Sequence, residues 1–313
     1  MKKSSCLILA AGVLFGVAAL LAAFYFIMDR EKLSLNPQTR AALPGQFVAL
    51  SEGITHYQLD GPPNGPVVVL INGFSAGSFS WQHNVPALTA AGFRVLSYDL
   101  YGRGYSDRPS GPYTLERFER QLDDLLGALR IDGPVDLTGV SMGGYIAAGY
   151  AAQHPQRVRR VALLAPQSTA NGSDPRLGMV TMPGLGEFVF AVYMVPVYLA
   201  NSEDDFQDPA QAEGLREEYL DAAQYAGFRA ALLSTLRCMT GSPYEQYSAL
   251  GRLGLPVLLI WGEEDRTSPF SNAPQIQAAI PQARLRSLPA QRHAVYYERP
   301  DLVNPLLIDF LKP

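Results

Sequence analysis

The sequence predicts an α/β fold: a mostly parallel central sheet with helices on both faces, a helical insertion before its last strands, and an N-terminal transmembrane helix. Three observations predict it. Short β-branched runs alternate with helical stretches from residue 46 to residue 164, the pattern of successive β-α units. The alternation stops near Gln167, gives way to helices and loops over residues 168 to about 250, and resumes at Leu255. Ahead of all this, Cys6 to Met28 is a run of 23 residues without a charge. The chain has 313 residues, of which 48% are hydrophobic and 17% charged, so it is long and apolar enough to bury one large core.

The N-terminal run is bounded by Lys2-Lys3 and by Asp29-Arg30-Glu31-Lys32. As a helix with about 1.5 Å rise per residue it reaches roughly 34 Å, enough for a hydrocarbon core. A cleaved signal peptide has an apolar stretch of about 7–15 residues. This one continues through Phe24-Tyr25-Phe26-Ile27-Met28, so an uncleaved single-pass anchor over 6–28 is expected, followed by a linker over 29–45. Lys/Arg residues flank both ends in near balance, leaving only a weak lean towards placing residues 46–313 outside the cytoplasm.

Strand-like runs follow at Gln46–Leu50 and Ile54–Leu59. Val67–Ile71 is continuously apolar, as suits a strand covered on both faces. A helical stretch around Trp81–Ala91 leads to a second buried strand, Arg94–Tyr98. From Thr114 to Arg130, Leu115, Phe118, Leu122, Leu125, Leu126 and Leu129 recur at three- and four-residue steps, which predicts an amphipathic helix. A strand at Val135–Val140, a small-residue helix at Met142–His154 and a strand at Val158–Leu164 complete the first half. After the insertion come a strand at Leu255–Trp261, a helix near Ala273–Ile280, a strand at Arg284–Leu288 and a closing helix from about Pro300 to Leu311.

Composition excludes several classes. The net charge is -4, and because the first 32 residues carry +2, the remainder stands at -6. No nucleic-acid partner is expected of such a balance. Cys6 and Cys238 make no disulfide framework, and no Cys/His group has zinc spacing, so neither a metal nor an organic cofactor is expected.

Gly139-Val140-Ser141-Met142-Gly143 has the G-x-S-x-G pattern, with a buried-type strand running in and a small-residue helix running out. That context makes Ser141 the candidate nucleophile, since the glycines permit a strained strand-to-helix turn. A serine needs a base, and the base needs an orienting acid. In the order Ser, acid, His only His154 and His293 follow Ser141, and His154 ends the helix that starts at the nucleophile, roughly 18 Å away. His293 is therefore the candidate base. Glu263, Glu264 and Asp265 crowd the loop after Leu255–Trp261, and Asp265 is the preferred acid. The oxyanion of acyl transfer needs two backbone N–H donors, expected at Met142 and at Phe74, in the loop after Val67–Ile71.

Together these residues resemble the α/β-hydrolase superfamily from about Phe47 to Leu311. Ser97-Tyr98-Asp99-Leu100-Tyr101-Gly102-Arg103-Gly104-Tyr105-Ser106 is similar to its D-x-x-G-x-G-x-S segment, and Gly262 to Pro269 to its G-x-x-D-x-x-x-P acid turn. His293 followed by Glu298-Arg299-Pro300 matches the region of its histidine. The resemblance implies that Ser141, Asp265 and His293 are nucleophile, orienting acid and base, and that residues 168 to 250 form a helical cap. It departs twice: Asn72 stands where the family commonly has His before Gly, and Arg292 where it usually has Gly before His293.

Serine at the elbow sets the chain apart from the family's aspartate-nucleophile dehalogenases and epoxide hydrolases. The expected activity is hydrolysis of a carboxylic ester, an acylglycerol or similar lipophilic ester, as the anchor and the apolar stretch Phe188–Val195 suggest by likeness to membrane-bound monoacylglycerol lipase-type hydrolases. Two alternatives stay open: a carbon–carbon bond hydrolase of the meta-cleavage type, and a non-catalytic membrane-tethered binding domain.

Overall fold

A computed structural model of the chain describes residues 2–29, 31–170, 178–180, 182–194 and 202–312, with no account of the side chains of 2–11, 14, 17, 18, 193, 194 and 202. Eight strands form one sheet in the order β1-β2-β4-β3-β5-β6-β7-β8. They are β1 Gln46–Ala49, β2 Ile54–Asp60, β3 Val67–Ile71, β4 Arg94–Tyr98, β5 Val135–Val140, β6 Val158–Leu164, β7 Val257–Gly262 and β8 Arg284–Leu288. The β1–β2 and β2–β4 pairs are antiparallel, and every other pair is parallel.

The apolar runs are strands because each is covered on both faces. Val69, Ile71, Leu137, Val161, Leu163, Leu259 and Trp261 pack on one side, against helices Leu115–Ala128, Met142–Gln153, Pro243–Arg252 and Ala273–Ala279. Their neighbours Val68, Leu70, Ala162, Leu164, Leu258 and Ile260 pack on the other, with Trp81, Leu88, Phe93 and helix Pro300–Leu311. Side chains alternate along a strand, so a run without a polar residue has to be buried twice.

Two of the boundaries that differ from expectation change how an element is built. The helical stretch at Trp81–Ala91 is a 3₁₀ turn, Ser78–Trp81, and a separate helix, Val85–Ala90, with Pro86 in its first turn. Strand β7 begins at Val257 instead of Leu255, because Pro256 has no N–H to give the ladder. Within the insertion, helices Ala212–Ala222 and Phe228–Cys238 meet in a small core of Val180, Phe190, Tyr219, Ala223, Phe228, Leu232 and Leu233. Phe74 and Phe79, from the loop after β3, pack against that core.

Residues Lys2–Met28 form a helix. Much of the expected transmembrane span 6–28 lies outside the described side chains, and among the described residues no helix is long and apolar enough to cross a membrane. The unbroken stretch of described side chains, 19–28, amounts to only about 15 Å of helix. Its end is tied to the cap. Asp29 and Glu31 pair with Arg229 at 2.5 and 3.2 Å, Glu31 accepts the N–H groups of Gly227 and Arg229, and Leu33 bridges to Tyr225. Tyr25 stacks on Phe188 at 6.5 Å between ring centroids. The stretch Phe188–Val195, which by sequence suits either the lining of a pocket or a core-facing cap helix, meets neighbouring elements where it is described. Phe188 faces the N-terminal helix and Phe190 the cap's own core, while the side chains beyond 192 in that run lie outside the described residues.

Candidate active site

Parallel pairing brings the carboxyl ends of β3, β5, β6, β7 and β8 to one edge of the sheet, with Ile71 beside Gly139, Val140 beside Leu164, Leu164 beside Ile260, and Gly262 beside Leu288. Every candidate residue follows one of these ends. Ser141 sits between β5 and helix Met142–Gln153 with φ 54° and ψ −121°, a conformation side-chain-bearing residues rarely adopt. The flanking glycines are required by contact. A Cβ on Gly139 would lie 2.2 Å from the Gly143 carbonyl oxygen, and one on Gly143 2.2 Å from that of Ile71. Gly143→Ala is expected to cost about 1–3 kcal/mol and to push the loop after β3 away from Ser141. Thermal unfolding checks it, and a midpoint equal to that of the native chain would contradict it.

The loop carrying Phe74 lies directly against Ser141: a Cβ on Gly73 would stand 3.5 Å from Ser141 Cβ. Met142 opens its helix, so its N–H is among those without an intrahelical acceptor. Arg103 holds the Phe74 loop from behind. Its Nε donates to the Phe74 carbonyl at 2.7 Å, Nη1 to Tyr101 O at 3.1 Å and Nη2 to Thr235 Oγ1 at 2.9 Å, and the guanidinium stacks over Phe74, Tyr113 and Phe118. Burial lowers its pKa to about 9. Asn72, at the family's histidine position, is fully buried and donates to the Ala76 carbonyl, which closes the loop.

His293 Nδ1 lies 2.8 Å from Asp265 Oδ2. An ionised carboxylate only accepts, so Nδ1 carries a proton and Nε2 is the ring nitrogen that remains to exchange one. Asp265 is buried and anchored: Oδ1 accepts from the N–H groups of Thr267 and Ser268 at 2.9 and 2.8 Å, and Oδ2 from Trp261 Nε1 at 3.1 Å. Glu263 and Glu264, the other acids of the turn, are exposed. Burial disfavours the imidazolium, but the charge of Asp265, its hydrogen bond and the charge of Asp205 outweigh it, raising the His293 pKa to about 9.

The acid turn and the nucleophile are fastened to one segment after β6. Gln167 N donates to Ser141 O at 3.0 Å, and Ser268 Oγ donates to Pro166 O at 2.6 Å. Among the described residues the structure pairs His293 with Asp265 by a hydrogen bond and brings Ser141 to the same edge without one to His293.

The other histidines are placed elsewhere. His56 is bonded to Asp99 at 2.8 Å and to the Pro44 carbonyl, His83 lies against Tyr297, and His154 stacks on Tyr150 at its helix end. Asp99 of the D-x-x-G-x-G-x-S segment is a structural hub, accepting from Ser78 N and Tyr105 N as well. Two contributors escaped the sequence reading. Arg103 stands in the D-x-x-G-x-G-x-S segment as one of its variable positions, with nothing in the sequence to mark a role. Asp205 lay in the acidic stretch Glu203-Asp204-Asp205, with nothing to set it apart from a solvated turn. Among the described residues no group of three His, Cys, Asp or Glu side chains is gathered as a metal site.

Comparison with known proteins gives the family of the chain. The sequence model of the alpha/beta hydrolase fold family matches residues 66–300. A putative non-heme chloroperoxidase of Synechocystis sp. is 30% identical over 256 residues, covering 79% of this chain and 92% of that protein. The 2-hydroxy-6-oxononadienedioate/2-hydroxy-6-oxononatrienedioate hydrolase of Cupriavidus pinatubonensis is 29% identical, covering 85% and 94%. The crystal structure of an enol-lactonase from Burkholderia xenovorans superposes with a TM-score of 0.73 at 25% identity, covering 85% of this chain and 99% of the other.

Proposed function

Because the chain belongs to the α/β-hydrolase fold family and is a hydrolase of that type, we propose that it cleaves carboxylic esters through an acyl-serine intermediate, with Ser141, His293 and Asp265 as its triad. One observation carries the reading: Ser141 is held in its strained turn on the same sheet edge as the bonded His293–Asp265 pair. In the first step Ser141 Oγ bonds to the ester carbonyl carbon as its proton passes to His293 Nε2. The carbonyl oxygen, now an anion, is met by the N–H groups of Phe74 and Met142. The alcohol leaves with the proton from Nε2, and water repeats the sequence on the acyl-serine to free the acid. Asp265 keeps the imidazole oriented and balances its charge.

A lipophilic ester suits the surroundings. Phe74 and Phe79 join the loop beside Ser141 to the apolar core of the cap. The cap and the N-terminal helix, which touch at Tyr25 and Phe188, both expose large apolar side chains, among them Met179, Met182, Phe24, Phe26 and Ile27. The uncharged run 6–28 supports attachment to a membrane as a single-pass anchor, with a weak lean towards an extracytoplasmic catalytic domain. Flotation of the full chain with lipid vesicles tests the attachment, and a chain that stays at the bottom of the gradient refutes it.

The second reading, a carbon–carbon bond hydrolase, is favoured by the 29% identity to a hydrolase of a dienedioate. A fluorophosphonate probe and a series of chromogenic esters, set beside a dienoic diketone, separate the readings. Labelling at Ser141 with ester turnover is expected. Turnover of the diketone alone would overturn the ester assignment, and a folded chain that neither labels nor turns over would leave the non-catalytic binding domain.

A further inference from the structure

We propose that Asp205, carried by the cap, is a positioning residue for the base: a second carboxylate facing His293, through which the seating of the cap decides how readily the imidazole gives up its proton. The proposal rests on His293 being the base of the reaction described above.

The geometry comes from one short 3₁₀ turn, Ser202–Asp205. The Asp205 carbonyl accepts the N–H of Ala294, the residue after His293, at 2.8 Å. Its carboxylate Oδ1 accepts from Thr267 Oγ1 at 2.5 Å, and Thr267 N in turn donates to Asp265 Oδ1 at 2.9 Å. One cap residue is thus bonded to the chain neighbours of both members of the acid–base pair.

The adjoining residues hold that arrangement in place. Arg292, at the position where the family usually has glycine, reaches the carbonyls of Phe206 and Asp204 at 3.1 and 3.4 Å. The buried carboxylate of Glu298 accepts the N–H groups of Gln207 and Asp208 at 2.9 and 2.7 Å. Phe206 is buried, with its ring edge-on to Tyr297 at 5.9 Å. Residues 204–208 are therefore clamped to the loop and short helix that carry His293.

The charges that act on His293 are Asp265, from the turn after β7, and Asp205, which the cap holds by its bonds to Ala294 N and Thr267 Oγ1. Asp204 stands beside Asp205, and the Arg292 guanidinium points to backbone carbonyls of the cap. Burial raises the Asp205 carboxyl above its ordinary value, while attraction to His293 and the Thr267 hydrogen bond pull it back. A negative charge beside an imidazolium favours the protonated form. Removing it frees the neutral base at lower pH.

The test is a titration of the histidine ring signals of the full chain by NMR, with the His293 signal assigned by its loss in His293→Gln. Asp205→Asn is expected to lower the His293 midpoint by about one pH unit and to shift the pH profile of kcat/KM by the same amount. Glu298→Gln, which loosens the same segment while leaving Asp205 charged, is expected to keep the native midpoint. An unchanged midpoint in Asp205→Asn overturns the proposal, as does an equal fall in Glu298→Gln. If Asp205→Asn does not fold, Thr267→Val, which releases the carboxylate from its anchor, must lower the midpoint by a smaller amount, and no change there overturns the proposal too. The titration needs no substrate. A midpoint that falls as expected in a protein whose Ser141 never reacts with the fluorophosphonate would sink the ester-hydrolase reading and leave the link between Asp205 and His293 standing.

Discussion

Ser141→Ala is expected to lower ester turnover by about three orders of magnitude or more and to abolish fluorophosphonate labelling. The size follows from the division of labour at the sheet edge. Without Oγ no acyl-enzyme forms, and what remains is whatever the N–H groups of Phe74 and Met142 give to a water that no residue positions. His293→Ala should lose a comparable amount, because a hydroxyl that keeps its proton is a poor nucleophile. The double variant should fall little further than either single one, since the two act as a unit. Stability should change little in Ser141→Ala, because the elbow is strained by its backbone and the side chain adds no buried core. Near-native rates in Ser141→Ala, measured on a well-folded protein, would remove the serine from the mechanism.

A strong pH dependence is the second large effect. The His293 pKa, raised to about 9 as the two carboxylates outweigh burial, leaves the imidazole protonated in the free protein at neutral pH. A general base works only when neutral, so kcat/KM should rise with pH and level off above about 9, falling tenfold per pH unit below it. From the alkaline plateau to pH 7 this amounts to about a hundredfold. The same shift acts on stability with the opposite sense. The folded chain holds this proton more tightly than an unfolded histidine of pKa 6.5, so the stabilisation is complete below pH 6.5 and is lost as pH rises through 9. Thermal unfolding of the native chain and of His293→Ala across pH 6 to 10 should therefore converge at the alkaline end. A kinetic midpoint near 6.5 would mean that Asp265 and Asp205 do not act on the imidazole as their positions imply.

The sheet could be read from the sequence because a parallel strand writes its surroundings into its residues. Val67–Ile71 and Leu258–Trp261 have no polar position, since neighbouring side chains go to opposite buried faces. The elbow was legible for a related reason: Gly139 and Gly143 are demanded by backbone passing within 2.2 Å of where a Cβ would stand, a local constraint that shows as a local motif. His293 and Asp265 were reachable through chain order and the strands they follow. The choice of Asp265 over Glu263 and Glu264 is settled by the fold, which turns one acid under the Trp261 indole and leaves the other two in water.

The cap shows the limit. Helical patterning announced an insertion after β6, but an apolar stretch looks the same whether it lines a pocket, fills a small core or meets another helix. Phe188 and Phe190, two residues apart, go to different neighbours. Arg103, Asp205 and Arg292 act on partners far away along the chain, Thr235, Ala294 and Phe206 among them, and carry no signature at their own positions.

By itself, then, the sequence determined the sheet, the elbow and the chain order of the three candidate residues, because burial on two faces and close backbone approach restrict which residues each position tolerates. Tertiary structure alone decided which acid meets the imidazole, what charge surrounds it and how the cap is fastened beside it. Those outcomes depend on distances between segments that become neighbours only when the strands pair.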